Sequence, residues 1–283
     1  MCSYCPQDAL KSAYKHPTKY LSLDNFKLIL SKVPPYVRID FSGMAEPWAN
    51  PACTSMLRHA LERGYHIAIY TTLYSMAVDE ADEVIGLLRE HLDQLEVLCL
   101  HLPDRFGNMR GWRYSEDYGQ VLKKMIAFGH GQPCFQMMTM DYHGGVAKEI
   151  REIVEWLPDH KWQANNRAGS LDASAVKEPS FEDHPRHEGP VSCSFTQFYD
   201  QNVVLPDGSV LLCCMDYSRE HVIGNLLTGD YWSLFSSPGM TKLEVENRKC
   251  GHSGTSICKS CSRAVSYDLD VQHKQFWTAH PPS

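Results

Sequence analysis

The feature that most constrains this chain is a regular alternation between residues 21 and 165. Segments of helical periodicity take turns there with short apolar runs rich in β-branched and aromatic residues. Ser22 is placed to cap a helix whose apolar positions Phe26, Ile29, Leu30 and Val33 share one face, and Pro34-Pro35 stops it. The run 37–41 then reads as a strand. A second helix opens near Ala52, with Met56, Leu57, Ala60 and Leu61 on one side and Gly64 at its end. A strand over 66–71 follows, then a helix carrying Val78, Ala81, Ile85, Leu88 and Leu92, and a strand over 95–100. The pattern closes with a helix over 118–128, a strand over 134–140, a helix over 146–157 and a strand over 161–165. Five strands joined by helices predict an α/β fold with parallel strands and right-handed crossovers, as an open sheet or partial barrel.

Residues 168–190 lose the periodicity and are rich in Ser, Asp, Glu, Pro and His, which predicts a linker or surface loop. A second unit follows. The runs 202–205 and 209–212 flank Pro206-Asp207-Gly208, a hairpin signal, and Gly208 completes the turn. A short helix-like stretch over 231–235 precedes a cysteine-rich end. The expected units are a strand–helix core over 1–167, a linker over 168–190, a small cysteine-rich domain over 191–271 and a tail over 272–283.

With 283 residues, 43% of them apolar and 22% charged, the chain can bury a sizeable core. A net charge of -7 gives no electrostatic reason to expect a nucleic-acid partner or an anionic membrane surface. No apolar run approaches membrane-spanning length, and the N-terminus lacks a secretory pattern, so the expected location is cytoplasmic, with no membrane partner. Against that location the 11 cysteines stand out. An odd number without a secretory signal favours metal binding over a disulfide framework. Cys53, Cys99 and Cys134 are singles on apolar faces, expected in the core as small hydrophobes. The others form an N-terminal pair, Cys2 and Cys5, and a group from Cys193 to Cys261.

Met1-Cys2-Ser3-Tyr4-Cys5-Pro6 places two thiols at a spacing that suits adjacent corners of a metal site or cluster, a redox dithiol or half a zinc site. One helix and one strand later comes Ser42-Gly43-Met44-Ala45-Glu46-Pro47. Together these resemble the radical S-adenosylmethionine (SAM) superfamily, whose cluster motif is Cys-x3-Cys-x2-Cys. Cys2 and Cys5 match its second and third cysteines. The first cysteine, like the first strand of a partial (β/α)6-type barrel, would lie before Met1, so the chain is expected to be N-terminally truncated.

The resemblance implies that Tyr4 lies near the adenine of SAM. It also implies that Gly43, Met44, Ala45 and Glu46, standing where the family has Gly-Gly-Glu-Pro, hold the SAM ammonium with backbone carbonyls and a carboxylate. Thr72, with Thr71, ends a strand where the family often touches SAM. Arg167, after Asn166, could reach the SAM carboxylate or the substrate, since guanidinium groups bind carboxylates in a bidentate manner.

In the second unit, Cys193, Gly208, Cys213 and the Cys258/Cys261 pair are similar in spacing to a SPASM domain, in its shorter twitch form, which binds an auxiliary [4Fe–4S] cluster. The expected ligands are Cys193, Cys213, Cys258 and Cys261, with Cys214 and Cys250 in reserve. Cys250, His252, Cys258 and Cys261 would equally suit tetrahedral zinc.

What the resemblance implies is a radical SAM enzyme, oxidoreductase-like, in which a [4Fe–4S] cluster cleaves SAM to a 5′-deoxyadenosyl radical. That radical abstracts hydrogen from a small-molecule or peptide substrate, assisted by the auxiliary [4Fe–4S] cluster. An electron donor such as a flavodoxin or ferredoxin is implied too. The alternative is a catalytically incompetent, truncated or degenerate protein that keeps a structural zinc or iron–sulfur site.

Overall fold

A computed structural model describes residues 2–141, 144–154, 165–171, 186–196, 198–251 and 255–267. The chain opens with helix α1 (Gln7–Ala13), which has no fully buried residue. Helix α2 (Leu23–Leu30) starts where Ser22 accepts a hydrogen bond from the Asn25 amide, and its Phe26, Ile29 and Leu30 are buried. Strand β1 (Ile39–Phe41), helix α3 (Cys53–Glu62), strand β2 (Ile67–Thr71), helix α4 (Val78–Glu90), strand β3 (Leu95–Leu102), helix α5 (Glu116–Gly129) and strand β4 (Phe135–Thr139) follow. The four strands form one parallel sheet in the order β1-β2-β3-β4. Four of the five expected strands are therefore in place, and residues 161–164 of the fifth lie outside the described residues.

Alternation along the strands sorts the two faces of the sheet. Ile67, Ile69, Leu98, Leu100, Phe135 and Met137 pack beneath α3, α4 and α5 in a core that also holds Leu57, Leu61, Leu88, Leu122 and Met125. The opposite face carries Asp40, Tyr70, Cys99, His101, Gln136 and Met138, with Tyr70 paired to Cys99 and His101 to Met138 across neighbouring strands. Cys53 and Cys99 are buried, and Cys134 packs against the core.

The helix expected over 146–157 is not formed in its described part. Only a single 3₁₀ turn, Lys148–Ile150, stands there. Val146 is drawn into an extended bridge with Asp104, and the Ala147 amide donates to the Pro103 carbonyl. The segment thus spends its first backbone donor on the loop after β3 rather than on a helix.

Beyond residue 186 the elements are shorter. Strand β5 (Val191–Cys193) pairs antiparallel with β9 (Ala264–Ser266). Strands β6 (Val203–Val204), β7 (Ser209–Leu211) and β8 (Val222–Asn225) form a three-stranded antiparallel sheet. Gly208 adopts φ 78° in the β6–β7 turn, as the sequence requires, and a Cβ there would meet Leu227. Helix α6 (Pro238–Arg248) is capped by Ser237, and the stretch over 231–235 is a 3₁₀ turn, Trp232–Leu234. Val191, Val210, Leu212, Ile223, Leu243 and Cys261 build a second core. Ile29 of α2 and Ala168 pack into that second core as well, so it rests directly on the strand–helix unit.

Candidate active site

The end of the sheet where the strands finish gathers the N-terminal motif residues. The Cys2–Cys5 loop docks on the segment after β3: Cys2 bridges Met109 in antiparallel fashion and the Ser3 amide donates to the Asn108 carbonyl at 2.8 Å. That segment is itself rigid, because Asp104 accepts from the amides of Phe106 and Asn108 and from the Asn108 side chain. The Cys2 sulfur lies against Sδ of Met140, one residue beyond β4. Tyr4 is 1% exposed and so belongs to the interior.

The two thiols lie within hydrogen-bonding reach of each other. The hydrogen bond between them, together with burial, pushes the Cys2 thiol far up, while accepting that bond brings Cys5 down to about 6. Arg167 and the Tyr217 hydroxyl act on Cys5 in the same direction. Cys5, biased toward thiolate beside a cation, has the character of a metal ligand, and Cys2 stands beside it at the spacing of a second one.

Glu46 stands between β1 and β2. Its two carboxylate oxygens accept from the Thr71 hydroxyl at 2.5 Å and from the Thr72 amide and hydroxyl, both at 2.7 Å. The carboxylate is thereby aimed by the ends of the next strand. Gly43 takes φ 110°, the conformation glycine is needed for. Met44, which replaces the family's small residue, is 5% exposed and packs with Leu205, Leu211 and Tyr217. It plugs the loop into the C-terminal hairpin. The Met44 carbonyl accepts from the Gln7 side-chain amide of α1, and Ala45 is exposed.

Arg167 is held by groups of the protein itself. Its Nε donates to the Tyr4 carbonyl at 3.1 Å, its Nη1 approaches Met215 Sδ at 3.8 Å, and its guanidinium lies 5.7 Å from the Tyr217 ring centre. The preceding residue is equally engaged. Asn166 donates to the Ser260 carbonyl at 2.7 Å and accepts from the Ser262 amide at 2.9 Å.

The thiols of the second cysteine group lie within one another's electrostatic reach. Burial first, then the charges of one another, raise the thiols of Cys213, Cys258 and Cys261: Cys213 responds to Cys258 and Cys261, and both of those respond to Cys193. Cys258 rises to about 11. A thiolate-binding metal would stabilise such a set of buried and half-buried thiols as anions. Cys214 is in the field of Arg167 and of Cys193, and it raises Cys213 in turn. Cys250 is exposed. Among the described residues no three His, Cys, Asp or Glu side chains converge on a point suited to one metal ion. His252 of the mixed zinc set lies outside the described residues.

Two residues of the site went unnoticed in the sequence. Tyr217, 1% exposed, hydrogen-bonds with Cys5 across 212 positions. Met140 closes the other side of Cys2. Neither has a local motif; only the fold brings them there.

Residues 193–262 match the SPASM family, an iron–sulfur cluster-binding domain. Among solved structures, the chain superposes on BtrN in complex with AdoMet and 2-DOIA, with TM-score 0.58, 17% identity, 92% of this chain covered and 87% of that one. The chain shares the fold of BtrN, and its residues 193–262 match a SPASM domain. BtrN in an open conformation (TM-score 0.48, 13% identity, coverage 86% and 80%) and native anSMEcpe with bound AdoMet (0.47, 13%, 96% and 86%) also match. Among curated proteins none matches significantly. The SPASM span begins at Cys193 and encloses Cys213, Cys258 and Cys261. Among the described residues no helix is long and apolar enough to cross a membrane.

Proposed function

We propose that the chain is a radical SAM enzyme acting as an oxidoreductase, with an active cluster at Cys2 and Cys5 and an auxiliary [4Fe–4S] cluster at Cys193, Cys213, Cys258 and Cys261. The observation that carries this reading is the meeting, at one end of a parallel sheet, of a Cys-x2-Cys loop with an aimed carboxylate, Glu46. When bound, the reduced cluster and SAM supply reductive cleavage of the sulfonium and removal of a hydrogen atom from the substrate. The protein's part is placement and exclusion of water.

Cys2 and Cys5 ligate iron. Glu46, held by Thr71 and Thr72, offers its remaining lone pairs to the SAM ammonium, with Gly43, Met44 and Ala45 shaping the loop. Buried Tyr4 walls the adenine side. The substrate, a small molecule or a peptide, lies over the polar face of Tyr70, His101 and Gln136, where Tyr70 and His101 meet edge-on at 6.2 Å. These groups can hydrogen-bond a polar substrate on the side opposite the helices. Electrons come from a small donor protein of the flavodoxin or ferredoxin type, and the protein works in the cytoplasm.

The test is anaerobic reconstitution followed by iron counting, EPR and an assay for 5′-deoxyadenosine. About eight irons per chain and SAM-dependent 5′-deoxyadenosine support the proposal. Stoichiometric zinc with no iron overturns it.

A further inference from the structure

Between the two cysteine groups lies a cation, Arg167, that the proposed chemistry leaves without a task. Arg167 sits at the start of a run in which Arg167, Ala168 and Gly169 have φ 46°, 52° and 82°. Two consecutive non-glycine residues in the left-handed region cost free energy that the surroundings must supply. Those surroundings are specific. Asn166 is bound on both sides to the Cys258–Cys261 loop, through the Ser260 carbonyl and through the Ser262 amide and hydroxyl. Ala168 is buried in the second core, and a Cβ on Gly169 would sit 3.2 Å from Ser260. The strained turn throws the Arg167 side chain away from that loop and onto the other one, where Nε reaches the Tyr4 carbonyl. Tyr217 completes the span. Its ring faces the guanidinium, its hydroxyl bonds Cys5, and it follows Cys213 and Cys214 by a few positions.

We propose that Arg167, on this reading of the two cysteine groups as cluster sites, is a shared electrostatic positioning residue that raises the reduction potential of both clusters at once. An arginine is a cation at every accessible pH. Reducing a cluster adds one negative charge, so a fixed positive charge nearby favours the reduced state, more so in a water-poor interior. Arg167 lies in the field of Cys2, Cys5 and Cys214 together, and Cys214 adjoins the ligand Cys213. Tyr217 gives its hydrogen bond to the N-terminal pair, through Cys5.

The experiment is a redox titration followed by EPR, with iron counting, on the reconstituted wild type and on R167Q, R167K and Y217F. R167Q is expected to weaken electron affinity about tenfold at each cluster, a fall of about 59 mV for a one-electron couple. R167K restores most of both shifts by keeping the charge. Y217F lowers the N-terminal potential alone, through loss of one hydrogen bond to sulfur. Iron-loaded R167Q with unchanged potentials overturns the inference and leaves the proposed function standing, as does a shift at one cluster only. Equal shifts in R167Q and R167K also overturn it, since the charge would then not be the cause. A wild-type chain without an iron–sulfur signal overturns both.

Discussion

Lys32 is the clearest place to test how the two cores are held together. Its ammonium, at the end of α2, donates to the carbonyls of Leu226, Leu227 and Gly229 at 2.6, 3.2 and 2.9 Å, nearly 200 positions away. The clasped turn matters to the site because the Leu226 amide donates to the Gly208 carbonyl, in the turn that leads through β7 to Cys213. Substituting Met keeps the stem and deletes the charge. Hydrogen bonds to a charged group contribute about 1.5–3 kcal/mol each, but carbonyls that regain water return most of that. Leu227 and Gly229 are only half-buried, whereas Leu226 is 2% exposed. The expected loss is therefore close to the value of one desolvated bond plus a remainder, about 2–3 kcal/mol, within a typical reserve of about 5–15 kcal/mol. At a urea dependence of about 2 kcal/mol/M, the unfolding midpoint falls by about 1 M. Tryptophan fluorescence across a urea series reads it. A K32M midpoint within about 0.2 M of wild type, or a K32R variant no better than K32M, refutes the reasoning.

The other predictions concern the site. Glu46→Gln leaves one acceptor oxygen for three donors, so we expect about 1 kcal/mol lower stability and, for SAM, about tenfold weaker binding by calorimetry; undiminished SAM binding would rule out the carboxylate's role. Serine at Cys193, Cys213, Cys258 or Cys261 removes about four irons, whereas Cys250→Ser and Cys214→Ser retain them; iron loss in C250S alone would reassign the fourth ligand. His221 is buried and its Nε2 accepts from the Ile257 amide at 3.3 Å, and burial holds its pKa below the ordinary 6.5. The unfolded chain binds that proton first, so stability falls as pH drops from about 6.5 toward the depressed native value and is constant below it. H221Q, which cannot titrate, should flatten that part of an apo-protein stability curve, and an unchanged slope would show that another group titrates.

How much of this was legible depends on whether a signal was local. Helices α2 to α5 announced themselves because each has one buried face at helical spacing and two have serine caps, Ser22 and Ser115. Strands β1 to β4 read as apolar runs because one face is covered by helices. Helix α1 was missed, having no fully buried residue and so no periodicity to detect. Helix α6 was missed for a related reason: only Met240, Leu243 and Asn247 are buried, although Ser237-Pro238 was an available start signal. The β5–β9 pair joins residues more than 70 positions apart through three-residue strands, and no pattern of that length carries a partner's address. The cysteine groups and Glu46 were visible as motifs, but Tyr217 and Met140 have only position in the folded molecule to mark them.

Met44 shows why a departure from a family pattern can be a constraint in its own right. In the stretch where small residues are expected, this chain spends a methionine, and the structure buries it against Leu205, Leu211 and Tyr217. Burying a side chain of that size contributes about 1.5–3 kcal/mol. The loop that presents Glu46 is therefore seated on the hairpin preceding Cys213, and Tyr217 touches both that seat and Cys5. A loop held on one side by Thr71 and Thr72 and on the other by the second core cannot adjust independently of either. Replacing Met44 by glycine to restore the family form should thus lower stability by about 2 kcal/mol, and should loosen the Glu46 loop as read by faster amide exchange over residues 43–46. If M44G were as stable as wild type with unchanged exchange, the hairpin would be a neighbour of the loop and not its support.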